Sequence, residues 1–416
     1  MKDNNNAIKA NISLLFIGGF FQDELLNEIE TNSKGSVQYA ANELQQHLII
    51  GFSQVFPGEI SLLTEPFIGS FPKHYKKLIV KRYNSIFLEN ISCSQRSFCN
   101  LTGLNIVSRF YAFKEGVFDW INQNQGKSLY IVIYSIQIYY LWLAKCVKDA
   151  FPSVHIHIII PDLPNYMSLG AKKMSLRNVA KQYRIILCKK NIKCFDSFTL
   201  LSAHMADYLQ LDESSYVVVE GIAKESYGKR IDTNKESSII KTVLYTGTLT
   251  KKYGVLDLVE AFRAIPKENY RLIICGDGET KKEIENASKE DARIIYMGRV
   301  NHEAVLNLQA HATILVNPRK NTGSYTKYSF PSKMMEYLAS GRPVLCYKLD
   351  GFPEEYDTYF NYIQGNEVHS FTESIQEICE KSNEELNKEG DRNRHFVNNN
   401  KNPRTQVSKI VDLLLS

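Results

Sequence analysis

The chain has 416 residues, of which 44% are apolar and 23% are charged. This length fits two or three domains, and the composition is that of a soluble globular protein rather than a disordered one. The formal charge of +5 is unevenly placed, because residues 1–230 hold 25 Lys and Arg against 19 Asp and Glu, a balance of +6. Eight cysteines without a C-x-x-C pair favour reduced thiols in a cytoplasmic protein over a disulfide framework.

The first half alternates short apolar runs with longer helical patterns, which predicts a mostly parallel sheet covered on both faces. The apolar run 12–21 is short and interrupted by two glycines, so it predicts a buried strand rather than a signal sequence. The aromatic-rich run 129–144 is too short to span a membrane and predicts a strand followed by a helix over about 136–147. The predicted strands cover 13–17, 60–63, 86–88, 129–134, 155–160, 197–200 and 217–219, and a further helix is predicted through 37–52.

A polar stretch without apolar periodicity, 224–238, predicts the linker to a second α/β series. The predicted strands there cover 242–245, 271–275, 294–297, 313–316 and 343–346, and the helices lie near 255–264, 281–289, 303–309 and 331–340. The charged, Asn-rich stretch 384–404 is expected to be an exposed loop, whereas 405–415 is amphipathic.

The predicted helix near 331–340 carries the strongest functional signal. Pro331 suits its first position, and a glycine and a proline follow its end, which leaves about three turns. Its N-terminus offers free backbone N–H groups beside Ser332 and Lys333, a combination that binds phosphate. Glu336 shares the Ser332 face one turn further on, where a carboxylate can accept two hydrogen bonds from a ribose diol. The pattern predicts a sugar-nucleotide site, and the alternative is a helix-capping segment with a surface glutamate.

Glycine-containing loops precede this helix in a fixed order, within roughly a hundred residues. Together the segments resemble the nucleotide-binding half of the retaining family 4 glycosyltransferases with the GT-B fold. They are 245–249 with 252–254, 274–279, 297–300 and 328–345. The resemblance spans most of the chain but is tight only from about 242 to 344. In the first half, 162–167 and 218–222 look like pieces of bacterial relatives that build surface polysaccharides.

The resemblance implies an α/β fold of two Rossmann-like parallel-sheet domains facing a cleft. An acceptor-binding domain would span 1–225, completed by 403–416 as the C-terminal helix crosses back, and a nucleotide-sugar-binding domain would span 239–402. The donor would be a nucleoside diphosphate sugar, most plausibly UDP-linked, and the acceptor a glycan or polyprenyl-linked glycan. We expect a hexosyl- or N-acetylhexosaminyl-transferase without a cofactor or a nucleic-acid partner. The departing diphosphate would help to remove the acceptor proton during same-face attack.

By the same resemblance, the donor-binding residues are Gly18, Gly19, Gly247, Lys252, Gly276, Arg299, Val300, Ser332, Lys333 and Glu336. Backbone near Gly18, Gly19 and Gly247 would approach the phosphates, and Gly276 would line the pocket. The backbone around Arg299 and Val300 would lie against the nucleobase. Lys252, Lys333 and the helix dipole would stabilise the leaving diphosphate. Asp162, after the strand 155–160, would orient or deprotonate the acceptor hydroxyl. The alternatives are that the glycines form tight turns, that the lysines are solvated and that Asp162 caps its loop.

Two positions depart from the family pattern. Thr248 stands where many relatives have an arginine, which removes one expected cation from the phosphate site. Either Lys251 and Lys252 substitute for that cation or the phosphate is bound more weakly. Tyr328 stands where the family has a second glutamate facing the donor sugar, so the identity of that sugar stays open. Because of these departures an alternative function stays open, namely a catalytically inactive sugar-nucleotide-binding or scaffold member of a polysaccharide assembly complex.

No metal site is predicted. His155 and His157 alternate on one strand face, but no third ligand stands at suitable spacing, and no Asp-x-Asp pair lies in a donor loop. A rival NAD-dependent oxidoreductase or sugar-nucleotide epimerase would need G-x-G-x-x-G after the first strand, and Gly18-Gly19-Phe20-Phe21 does not supply it.

A basic cluster in the first half predicts binding to an anionic membrane surface at the inner face of the cell membrane. It consists of Lys73, Lys76, Lys77, Lys81 and Arg82, interleaved with aromatic residues such as Tyr75. A solvated basic face is the alternative.

Overall fold

The computed structural model describes residues 11–35, 37–88, 90–164, 176–223 and 240–416. The chain forms two compact units, of which the first holds Met1–Glu220 and Pro403–Ser416 and the second holds Gly221–Asn402. The stretch expected to be the linker, 224–238, lies outside the described residues, as do residues 165–167 of the segment that begins at Asp162.

The first unit is built on an eight-stranded sheet. Its strands are β1 (Ile12–Gly18), β2 (Glu59–Thr64), β4 (Tyr83–Phe87), β5 (Ile91–Gln95), β7 (Ser128–Tyr134), β8 (His155–Ile160), β9 (Ser197–Leu200) and β10 (Tyr216–Val218). They lie in the order β10-β9-β8-β7-β1-β2-β5-β4, and every pair is parallel except β4 with β5. A short antiparallel pair, β3 (Ile79–Val80) and β6 (Phe98–Cys99), completes the unit. The central strands are buried runs of Ile, Val and Phe, as expected where helices cover both faces of a parallel sheet.

The helices of the first unit are α1 (Asp23–Asn32), α2 (Tyr39–Val55), α3 (Asn105–Gln123), α4 (Ile138–Ala150), α5 (Leu176–Asn191), α6 (His204–Leu209) and the C-terminal α13 (Pro403–Leu415). The C-terminal helix packs against α2, which confirms the expected return of the chain to the first unit. Gly51 makes the close approach possible, because a Cβ there would lie 2.3 Å from the Val407 side chain and 2.5 Å from the Pro403 carbonyl oxygen.

The second unit is built on a six-stranded, all-parallel sheet in the order β13-β12-β11-β14-β15-β16. Its strands are β11 (Lys241–Thr246), β12 (Tyr270–Cys275), β13 (Ile294–Gly298), β14 (Ile314–Asn317), β15 (Val344–Cys346) and β16 (Asn361–Tyr362). Its helices are α7 (Val255–Arg263), α8 (Lys281–Glu290), α9 (His302–His311), α10 (Lys333–Ala339), α11 (Val368–Cys379) and α12 (Asn383–Asn400). Successive side chains of β11 enter two different cores, Val243 and Tyr245 one and Leu244 the other, because strand side chains alternate between faces.

The expectation of an exposed loop over 384–404 is wrong. The region forms α12, whose first turn has a capping box in which Ser382 and Glu385 satisfy each other's backbone N–H groups. Phe396 and Val397 are buried in the unit's core. At Gly390 a Cβ would lie 1.9 Å from the Gly341 carbonyl oxygen, so the helix packs directly on the chain after α10.

The aromatic-rich run 129–144 forms β7 and the start of α4, as predicted. Within the part of the chain that the structure describes, no helix is long and apolar enough to cross a bilayer.

Candidate functional site

The loops that follow β11, β12 and β13 meet at the carboxyl edge of the second unit's sheet. Gly247 N donates to Cys275 O at 3.0 Å, and Gly276 N donates to Gly298 O at 2.8 Å. Gly276 has a φ of +142°, and a Cβ there would lie 1.8 Å from the Gly247 carbonyl oxygen. The three predicted glycine loops are therefore neighbours, and side chains are excluded where Gly247 and Gly276 touch. Ligands of open α/β sheets bind at this edge.

Glu336 lies at the same edge and is nearly buried, with 9% of its side chain exposed. Its Oε1 accepts from Gln309 Nε2 and, at 2.8 Å, from Lys333 Nζ, and its Oε2 accepts from Lys333 Nζ at 3.0 Å. The helix that carries it is tied to the end of β11, because Thr246 N donates to the Tyr337 hydroxyl at 2.9 Å. Glu336 is thus a fixed carboxylate beside the Gly247 loop rather than a surface glutamate.

Lys333 does not stand free as a cation for phosphate, since it pairs with Glu336 three residues on. Helix α10 has only seven residues, fewer than the predicted three turns, and begins after Ser332. The Ser332 side chain makes no capping hydrogen bond, so the first N–H groups of α10 are not satisfied by it.

Lys252 lies on a turn after Gly247 and contacts the loop that follows β14. Its Nζ is 3.5 Å from the centre of the Tyr325 ring, and the guanidinium of Arg319 is 4.6 Å from the same ring centre. Burial, and secondarily the charge of Arg319, lowers the pKa of the Lys252 ammonium. Sequence reasoning missed Arg319. Its place two residues after β14, at the carboxyl edge of a parallel strand, was the available signal.

The nucleobase candidates lie after β13. Arg299 Nε is 3.1 Å from Asp277 Oδ2, and the Arg299 side chain is 74% exposed. Val300 is partly buried against the core that contains α10. Asp277 Oδ1 also accepts from Gly278 N at 2.9 Å, the contact expected of an ordinary turn.

The two departures from the family pattern have structural settings of their own. The Thr248 carbonyl oxygen accepts from the Tyr245 hydroxyl at 2.8 Å. Tyr328 ends a short 3₁₀ turn, Thr326–Tyr328, and is half-buried. Among the described residues of this loop, 321–332, no carboxylate replaces the missing glutamate.

In the first unit, Gly18 and Gly19 end β1 as predicted, but the turn is packed tightly. Gly19 N donates to Gln45 Oε1 at 2.8 Å, and a Cβ on Gly19 would lie 2.0 Å from the Phe67 ring. The Gly19 N–H group expected to approach donor phosphates therefore already has a protein acceptor.

Asp162 follows β8 and lines a cavity of about 410 Å³ in the first unit. Burial, and secondarily the charge of Asp162, raises the pKa of Tyr134 in the wall of this cavity. The cavity is also lined by Ser135, a non-glycine residue with a φ of +79°. Arg109 closes one side, where Nη1 lies 3.4 Å from the buried Glu65 carboxylate. Sequence reasoning missed this pair, which no local pattern marks.

His155 and His157 form a hydrogen-bonded chain with side chains of β9. His155 Nε2 and His157 Nδ1 both lie 2.8 Å from Ser197 Oγ, and His157 Nε2 lies 2.7 Å from Thr199 Oγ1. Burial, and then the neighbouring His155, lowers the pKa of His157 to about 3. Within the described ranges, no cluster of three or more His, Cys, Asp or Glu side chains could hold a metal ion.

The basic cluster differs in one respect from its prediction. Lys73, Lys76, Lys77, Lys81 and Arg82 are exposed. Tyr75, which was expected beside them, is only 2% exposed and belongs to the core. The exposed apolar side chains near the cluster in sequence are Leu78, Ile79, Ile86 and Leu88.

Residues 230–402 match the model of the family described as Glycosyl transferases group 1. A search of curated proteins finds no match. The structure is similar to that of sucrose-phosphate synthase from Thermosynechococcus elongatus, with a TM-score of 0.65 and 13% identity over 96% of this chain and 98% of that one.

Two further solved structures are similar over nearly the whole chain. The lipopolysaccharide outer core galactosyltransferase WaaB has a TM-score of 0.60 and 14% identity, covering 97% of this chain and 99% of that one. HepE of Anabaena, solved in complex with UDP, has a TM-score of 0.59 and 13% identity over 97% and 99%. These likenesses show the fold, two Rossmann-like domains of the GT-B type. Together with the family match they support a glycosyltransferase.

Proposed function

We propose that the protein is a retaining glycosyltransferase that moves a hexosyl or N-acetylhexosaminyl group from a UDP-linked sugar to a glycan or lipid-linked glycan in surface polysaccharide synthesis. The observation that carries the proposal is the fixed carboxylate of Glu336 beside the three glycine loops. A ribose diol has two hydroxyl donors for such a group.

The ribose, the diphosphate and the base of the donor each have a candidate partner in the second unit. Glu336 would accept from the ribose hydroxyls, and Lys252 would stabilise the charge that develops on the leaving diphosphate. The backbone around Arg299 and Val300 would lie against the base. The choice of UDP is supported by the similarity to HepE, which was solved with UDP.

For the acceptor, we assign the cavity lined by Asp162 in the first unit. A carboxylate next to a polar cavity can accept a proton from, or orient, an incoming hydroxyl. The polar groups around it, Ser135 and Gln137 among them, are suited to hydrogen-bond a sugar. We place the protein at the cytoplasmic face of the membrane, where the basic cluster and its exposed apolar neighbours would meet anionic lipid.

A thermal-shift panel of UDP, GDP, ADP and their sugars tests the donor, because a ligand that binds only the folded state raises its melting temperature. We expect UDP and one UDP-sugar to give the largest shift. Slow hydrolysis of that sugar without acceptor, with retention at the anomeric carbon, would follow from the proposed chemistry. Binding without any hydrolysis or transfer would favour the inactive scaffold, and absence of any nucleotide shift would refute both.

A further inference from the structure

Arg319 and Lys252 form a pair of cations without a counterion. Both lie on the ring of Tyr325, at 4.6 Å and 3.5 Å from its centre. No carboxylate of the described chain pairs with either. The next residue provides a contrast, because Lys320 Nζ lies 2.8 Å from Asp257 Oδ2.

The guanidinium of Arg319 is incompletely satisfied. The residue is 9% exposed, and its Nη2 donates to Ser329 Oγ at 2.9 Å. Among the residues that the structure describes, its Nε is buried without a hydrogen-bond partner. Burying a cation without a counterion is costly, so such an arrangement persists where a ligand supplies the missing negative charge.

The surrounding chain fixes this pair at the proposed donor site. Glu279 accepts from Thr250 Oγ1 at 2.7 Å and from Lys251 N at 3.1 Å, which holds the turn that carries Lys252 against the Gly276 loop. On the other side, Asn317 Nδ2 lies 3.2 Å from the sulfur of Met334 in α10. Arg319 therefore lies between the Lys252 turn and the helix of Glu336.

Gly254 sets how closely the turn approaches. It has a φ of +73°, and a Cβ there would lie 2.1 Å from the carbonyl oxygen of Pro318. A side chain at this position would push the Lys252 turn away from Arg319. The two charges are thus held together by backbone packing, although they repel each other.

We infer that Arg319 binds the diphosphate of the nucleotide sugar together with Lys252 and supplies the cation that Thr248 lacks. The inference rests on the proposed function. With Lys333 engaged by Glu336, Lys252 would otherwise be the one available lysine of the two that were assigned to the diphosphate. Arginine suits the task because its fork donates two parallel hydrogen bonds to phosphate oxygens. The loop after β14 then contributes the positive charge that an arginine directly after Gly247 supplies in many relatives.

The test uses calorimetric titration of UDP, uridine and inorganic pyrophosphate into the wild type, Arg319→Met and Lys320→Ala. Methionine keeps most of the volume of the arginine stem and removes the charge. We expect Arg319→Met to weaken binding of UDP and pyrophosphate about ten- to hundredfold and to leave uridine unaffected. Lys320→Ala should bind all three ligands as the wild type does.

Thermal unfolding without ligand separates this role from a structural one. Removing an uncompensated buried cation should leave the melting temperature of Arg319→Met unchanged or raise it, whereas loss of a structural contact would lower it. Wild-type affinity for UDP in folded Arg319→Met would overturn the inference and leave the proposed function standing. If the wild type bound no UDP, the proposed function would fail. Equal binding of pyrophosphate by the wild type and Arg319→Met would then overturn the inference as well.

Discussion

Glu336→Ala should cripple binding of the donor nucleotide while the protein stays folded. In the structure Oε1 already accepts from Gln309 and Lys333, but Oε2 accepts only from Lys333. A carboxylate oxygen can accept two hydrogen bonds, so at least one ribose hydroxyl can be bound at Oε2.

Each hydrogen bond to the charged carboxylate contributes about 1.5–3 kcal/mol. Losing one of them weakens binding by roughly one to two orders of magnitude, at about 1.4 kcal/mol per tenfold. The cost to the fold is smaller. Gln309 Nε2 keeps a second acceptor, Thr246 Oγ1 at 3.2 Å, Lys333 is 39% exposed, and alanine favours the helix.

Titration calorimetry of UDP into the wild type, Glu336→Ala and Glu336→Gln measures the effect. Glutamine retains one acceptor oxygen, so Glu336→Gln should bind more tightly than Glu336→Ala. Glu373→Ala is the matched control, because Glu373 lies on the exposed face of α11 and pairs only with His369 among the described residues. Unchanged affinity for UDP in a folded Glu336→Ala protein would show that Glu336 does not bind the ribose. It would also contradict the resemblance at the motif that supports it most strongly.

Four further predictions test other parts of the structure. EDTA should leave sugar transfer intact, and loss of turnover that Mg²⁺ restores would contradict our account of the diphosphate. In liposome flotation at low salt, binding should require anionic lipid and fall when the basic cluster is replaced by glutamine. Flotation that does not depend on anionic lipid would refute the predicted membrane-binding surface. Ser382→Ala should lower the free energy of unfolding by about 1 kcal/mol through loss of the α12 cap, measurable by urea denaturation, whereas an unchanged value would contradict the cap. His157 takes up a proton in the unfolded chain below about pH 6.5 but in the folded protein only near pH 3. Its contribution to stability should therefore fall by about 2 kcal/mol between pH 6.5 and 5, a loss absent from His157→Asn. If the free energy of unfolding changed with pH in the same way in the wild type and in His157→Asn, this role of His157 would be refuted.

Much of the secondary structure followed from local pattern. The parallel strands are short β-branched runs whose neighbours in sequence predict turns, and β8 and β9 begin and end at the predicted residues. The glycine at position 276 and the helix of Glu336 were also recognisable locally, because glycine at a strand end and proline before a helix have few other uses. Such signals determine where chain elements begin and which residues face a ligand edge.

Apolar periodicity did not predict α12, because the burial of this polar helix depends on the segment that it packs against. α12 has little apolar periodicity, yet it forms because Gly390 lets it approach Gly341, some fifty residues earlier in the chain. The capping signal at Ser382 is present in the sequence, but the expectation of a loop rested on the charged, Asn-rich composition and the missing apolar periodicity. Helix propensity and capping contribute little without such packing.

The sequence by itself determined the α/β class, the order of the strands along the chain and the position of the proposed sugar-nucleotide motif, because these depend on local side-chain pattern. Only the tertiary structure decided which charged groups are engaged. It paired Lys333 with Glu336, gave Gly19 N a partner in Gln45, and brought Arg319 beside Lys252 from a loop more than sixty residues away. Whether a charge is satisfied depends on distances between separate loops, and those distances are fixed by the packing of the whole unit.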